Sequence, residues 1–91
     1  MTVEEILEFQ DSENYYTEFY LKASKDGFTS FARGLEILGP YVGKKDLCAQ
    51  HDVIYVGLDC NFEKMTLDTV KELASIGFSY DDENDCWVFH T

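Results

Sequence analysis

The stretch HDVIYVGLD (51–59), MTLDTVKELASIG (65–77), FSY (78–80), DDEND (81–85), CWVFHT (86–91) decides the fold. It reads strand, helix, strand, tight turn, strand: a βαββ module. Val53, Ile54, Tyr55 and Val56 make a short run that is apolar on both faces. Such a strand is expected to be covered on both sides. Thr66 is placed as the N-cap of the helix, and Asp68 suits its positive end. Met65 and Val70 stand at hydrophobic-staple positions, and Leu67, Val70, Leu73 and Ala74 are assigned to the inward face. Gly77 ends the helix, with Phe78 set for the apolar contact that accompanies such caps. Residues 78–80 and 86–89 then form a hairpin across an acidic turn.

Two sheets satisfy this pattern. The strands flanking the helix are parallel neighbours joined by a right-handed crossover, or the last strand inserts between them and the sheet is wholly antiparallel. Either way about three strands result, and a sheet that small needs helical cover. The fold class is therefore α+β: N-terminal helices packed on a C-terminal βαββ module with a small, mostly antiparallel sheet.

The cover comes from residues 1–43, in a chain whose 91 residues make a single domain. Thr2 and Glu5 form a capping box, and Val3, Ile6 and Leu7 give the helix after it an apolar face. Ser12 can cap a second helical run carrying Tyr16, Phe19, Tyr20 and Ala23, with Lys22 and Lys25 near its end and Gly27 as its C-terminal glycine. Aromatic alternation through residues 15–21 offers a strand as the competing reading. Phe28, Phe31, Leu35, Leu38 and Val42 recur at helical intervals. Gly34 inside that helix costs about 1 kcal/mol relative to alanine, which close approach of a neighbouring backbone would justify. Gly39 and Pro40 end the helix, and residues 43–46 read as a loop.

The net charge of −11 is unevenly spread: −5 over residues 1–14, +1 over 15–50 and −7 over 51–91. No basic footprint exists to neutralise phosphates, so direct nucleic-acid or anionic-membrane binding is disfavoured. Basic partners are favoured, with fast, salt-sensitive association. The plainer alternative is a charge that keeps a small protein soluble. Hydrophobic residues at 45% exclude a disordered chain. Cys48, Cys60 and Cys86 are odd in number, and Met1-Thr2-Val3-Glu4-Glu5 has no basic or apolar leader. The expectation is reduced thiols and a cytoplasmic location.

Candidate chemistry fails mostly on geometry. Cys48 with His51 and Cys86 with His90 have the spacing of metal-ligand pairs. In an extended strand, however, Cys86 and His90 stand about 13 Å apart, too far to share one ion. Asp81, Glu83 and Asp85 resemble the start of a calcium loop, but Cys86 stands where its glycine is needed. His51 and Asp52, adjacent on a strand, point to opposite faces and cannot orient each other as a dyad. No nucleophile elbow, phosphate loop or dinucleotide fingerprint is present, so no catalytic residue, metal or cofactor is assigned. The remaining signal is the acidic turn. Asp81, Asp82, Glu83 and Asp85 would supply charge to a partner, with Trp87 and Tyr80 as neighbouring anchors if exposed. Carboxylates held at roughly phosphate spacing can also occupy the groove of a nucleic-acid-binding protein, which is nucleic-acid mimicry.

Gly34-Leu35-Glu36-Ile37-Leu38, His51-Asp52-Val53-Ile54-Tyr55-Val56-Gly57, Leu73-x-x-Ile76-Gly77-Phe78 and Trp87-Val88-Phe89, in this order, resemble a group of small proteins encoded by tailed bacteriophages. The likeness covers about residues 28–91, and its motifs are structural. It brings no activity with it, so no functional residue is transferred. It implies a phage accessory protein acting in the bacterial cytoplasm, and by analogy an inhibitor of a host enzyme or defence complex. The expected function is thus a non-enzymatic, acidic protein that binds a basic surface of a host protein. The alternatives are a structural homo-oligomer, starting with a homodimer, and a metal-binding regulator using Cys48, His51 and Cys86.

Overall fold

A computed structural model describes residues 1–12, 27–50 and 52–90. The second helical run expected over Tyr16, Phe19, Tyr20 and Ala23 lies outside the described residues. The elements are α1 (Val3–Asp11), α2 (Gly27–Leu38), β1 (Val42–Gln50), β2 (Val53–Cys60), a 3-10 turn (Phe62–Lys64), α3 (Leu67–Ser75), β3 (Phe78–Asp81) and β4 (Cys86–His90). The fold is α+β, with a four-stranded sheet in the order β1-β2-β4-β3. Every pairing is antiparallel, so β4 inserts between β2 and β3 and the parallel crossover is not used.

Local signals hold where they rest on neighbouring residues. The capping box of α1 is complete: the Glu5 N–H donates to Thr2 Oγ1 at 3.2 Å and the Thr2 N–H to Glu5 Oε1 at 2.8 Å. The Thr2 backbone N–H, and after it the Thr2 hydroxyl, favour the ionised carboxylate and hold Glu5 below its ordinary value. Thr66 caps α3 by accepting from the Thr69 N–H. Gly77 follows the helix with φ +96°, a conformation that glycine adopts without steric cost. Val70, Leu73 and Ala74 are buried, but Leu67 is 43% exposed. At the first helical position its side chain falls to the solvent side of the stripe.

The largest departure is β1. Residues 43–46 are strand and not loop, and Val42 opens that strand instead of closing α2. Residues 43–50 are all exposed, so no apolar alternation marked the strand. Its stability comes from the ladder to β2, from Val42↔Cys60 to Gln50↔Val53. One bulge interrupts that ladder and another the ladder from β2 to β4. Lys45 and Asp46 together face Gly57 of β2, and Gly57 is the extra residue against β4. Gly57 sits at φ +73°, which lets one residue serve both irregularities.

Helices α1, α2 and α3 cover the sheet face that carries Ile54, Val56, Phe78, Tyr80, Trp87 and Phe89. Helix α2 meets this face along Ser30, Gly34 and Leu38, with Phe31 beside them. Two of its large residues turn outward: Phe28 is 93% exposed and Leu35 37%. The close approach at Gly34 is made by the Phe78 ring and not by backbone. Arg33 ties α2 to α3 through Glu72 at 3.1 Å and also pairs with Glu36. Such exposed pairs contribute about 0–1 kcal/mol.

The opposite, outer face carries Val53 and Tyr55 of β2, Ser79 of β3 and Val88 and His90 of β4. Val53 and Tyr55 are partly exposed, and among the described residues the helices lie on the other side of β2 only, not on both.

The free edges are closed differently. On β3 the Gln10 carboxamide substitutes for a strand: the Tyr80 N–H donates to Oε1 at 2.7 Å and Nε2 donates to the Tyr80 carbonyl at 3.1 Å. On β1, Lys44, Lys45 and the bulge blunt the edge. Gln10→Ala is expected to cost about 1–3 kcal/mol, because both backbone groups of Tyr80 lose their partner. Gln10→Glu keeps the acceptor, loses the donor, and should fall between. Urea denaturation checks both; equal stability of all three proteins would show that Gln10 does not hold the edge.

Candidate functional site

The β3–β4 turn is built by its first acid. Asp81 Oδ1 accepts the N–H groups of Glu83 at 3.0 Å and Asn84 at 3.4 Å, and Oδ2 accepts Asn84 Nδ2 at 2.7 Å. Asp81 therefore spends its carboxylate on shaping the turn, as aspartates at such positions do. Asp85 adopts φ +51° and lies 3.4 Å from the Tyr80 hydroxyl, which donates to it. Asp82 and Glu83 are exposed. The four acids thus divide: two hold the local structure and two project outward.

Trp87 and Tyr80 are not surface anchors. Trp87 is 0% and Tyr80 6% exposed, both on the helix-covered face. Tyr80 stands edge-on to Phe62 at 5.0 Å and to Trp87 at 5.4 Å. Burial, with the Asp85 charge alongside, pushes its phenol up to about 12. The Trp87 indole N–H donates to Cys60 Sγ at 3.5 Å. Burial raises the Cys60 thiol against the opposing effect of that bond. These two rings belong to the core because β4 inserts between β2 and β3, which places residues 87 and 89 opposite Val56 and Ile54.

What the turn does border is a hollow of about 320 Å³ on the outer face. Val53, Tyr55 and Val88 supply its apolar surface, Ser79 and His90 one wall, and Asp81, Asp82 and Glu83 another. Ser79 Oγ and His90 Nε2 are 2.8 Å apart. Ser79 pairs with Val88, so His90 is its diagonal neighbour across the strands. Desolvation lowers His90 from its ordinary value, while the Asp52 carboxylate acts in the opposite sense. The lowered value favours the neutral imidazole near pH 7.

Tyr55, Ser79 and His90 were not legible as a group. Each is ordinary in its own segment, and strand order alone brings them together. The period-2 pattern could have placed Ser79 and His90 on one face once β3 and β4 were paired, which the hairpin already implied. The proposed ligand pairs stay apart or undescribed. His51 lies outside the described residues, which removes both the Cys48 pair and the His51–Asp52 dyad from view. Among the described residues no three His, Cys, Asp or Glu side chains gather as metal ligands. Among the described residues no helix is long and apolar enough to cross a membrane. Comparison with family models, with characterised proteins and with solved structures gives no match for this chain.

Proposed function

We propose that this chain is a non-enzymatic binding protein that engages a basic surface of another protein through the acidic turn and the outer sheet face beside it. The observation that carries the reading is the division of labour in the turn. Asp81 fixes its shape, leaving Asp82 and Glu83 exposed at the rim of a partly apolar hollow. Fixed carboxylates beside apolar surface suit a partner that offers both cations and apolar contact. The net charge of −11 extends the same preference over long range. In this reading the protein is a phage-type accessory inhibitor of a host enzyme or defence complex, working in the host cytoplasm, with nucleic-acid mimicry as one mode.

The test is capture from a bacterial lysate on the immobilised chain at low and at high salt. A partner retained at low salt and released at high salt is expected. Reversing both rim charges, Asp82→Lys with Glu83→Lys, should weaken capture roughly ten-fold or more, since charge reversal adds repulsion to lost attraction. Capture indifferent to the reversal would refute the role of the turn. The homo-oligomer reading, in which the exposed sheet face packs on a twofold mate, would use the same outer face, with Val53 and Tyr55 partly exposed on it. A sedimentation coefficient that rises through the micromolar range would favour it, and a clean monomer would rule it out.

A further inference from the structure

The outer-face hollow combines three features that a solvated acidic face does not require. Its surface is partly apolar, from Val53, Tyr55 and Val88, and Tyr55 adds an aromatic ring. Its rim is anionic, from Asp82 and Glu83. Its remaining wall is an imidazole held by Ser79 at 2.8 Å. No lysine or arginine lines it among the described residues. An aromatic face next to carboxylates is the chemistry that selects a guanidinium, which is weakly hydrated, planar and attracted to ring faces.

We infer that this hollow receives one arginine side chain of the partner, laid on Tyr55 beneath the rim carboxylates, and that protonation of His90 expels it. The inference rests on the binding reading above and names the occupant and its control. The surroundings of His90 set the sign. From β2 it faces Val53 directly, with Tyr55 on the diagonal and the Asp52 carboxylate just before the strand. From β3 it faces Ser79, and from the turn Asp81, Asp82 and Glu83 share its hollow. When neutral, the imidazole shares a hydrogen bond with Ser79 and leaves the hollow anionic. When protonated, it places a cation inside the space that the guanidinium needs. Two like charges a few ångströms apart in a partly dry site repel strongly enough to weaken binding roughly ten-fold. Desolvation of His90 puts this loss on the acid side of the imidazole's ordinary range, so binding is retained near neutrality and lost as pH falls.

The experiment titrates a blocked tetraarginine peptide into the intact chain at low salt, followed by calorimetry and by the His90 imidazole resonances. At about pH 7.5 the peptide should bind and move those resonances, and affinity should fall as pH is lowered through the His90 titration that the resonances report, on the acid side of the imidazole's ordinary value. His90→Gln keeps a neutral partner for Ser79 and should hold its affinity over the same fall in pH. Tyr55→Leu keeps apolar bulk on the central strand but removes the π face, and should bind about two- to five-fold more weakly. Circular dichroism confirms that both variants are folded. If Tyr55→Leu binds like the parent and His90→Gln still loses affinity in acid, the hollow is not the arginine site. Loss on rim-charge reversal would then leave the binding reading standing without this inference. A peptide that does not bind the parent chain at all overturns the inference, and the salt-dependent capture decides the reading separately.

Discussion

Trp87→Ala is expected to remove about 3–5 kcal/mol of stability, the cost of deleting a large buried ring. A domain of this length holds about 5–10 kcal/mol in total, so the variant should lose roughly half of its stability. The reasons are specific. Trp87 is 0% exposed, stands edge-on to Tyr80 at 5.4 Å, and is paired with Val56 and Tyr80 across both neighbouring strands. Its N–H has a sulfur acceptor in Cys60, at 3.5 Å. Trp87→Phe keeps most of the ring and loses that bond, and should cost about 1–2 kcal/mol. Urea denaturation followed by far-ultraviolet circular dichroism measures both, because the chain has a single Trp and each variant deletes its fluorescence. The pair also separates packing from recognition. Trp87→Phe should capture a partner as the parent does, whereas a surface anchor would lose most of its binding on that change. An alanine variant within about 1 kcal/mol of the parent would overturn the core described above.

Gly34→Ala should destabilise by about 1–3 kcal/mol even though alanine is the better helix former. A Cβ at residue 34 overlaps Cε1 and Cζ of Phe78 and lies 2.8 Å from its Cδ1. Phe78 cannot yield easily. It is 1% exposed, stacks on Phe31 at 6.2 Å and meets Phe89 at 4.9 Å. The helix-propensity gain of about 1 kcal/mol is therefore outweighed by overpacking. Combining Gly34→Ala with Phe78→Leu should recover part of the loss, since the smaller side chain vacates the contact. A Gly34→Ala protein more stable than its parent would mean that α2 does not pack on β3 through this notch.

Legibility followed the range of the interactions. Capping at Thr2 and Thr66, the end of α3 at Gly77 and the hairpin around the acidic turn depend on residues three to five apart, and each was readable. Strand β1 was not, because its residues 43–50 are all exposed and carry Lys44, Lys45 and Asp46. The lysines that protect an edge strand are the same residues that make it look like a loop. The α2 stripe misled for a related reason. Helical spacing identified the helix, but Ser30 and Gly34, which mark the contacting face, contribute nothing to a hydrophobic pattern. The anchors failed because Cys86 to Phe89 is apolar at every position, so alternation could not say which of Trp87 and Val88 faces the helices.

By itself the sequence determined an acidic α+β chain with a well-capped third helix and a rigid carboxylate turn, since propensity, capping and charge are local properties. Only the tertiary structure decided that β4 inserts between β2 and β3. That one choice buries Trp87 and Tyr80, sets His90 beside Ser79 and opens the hollow next to Asp82 and Glu83. The physical reason is that strand pairing joins residues far apart in the chain. A pleated strand carries two faces, and its partners, not its own residues, select which one is buried.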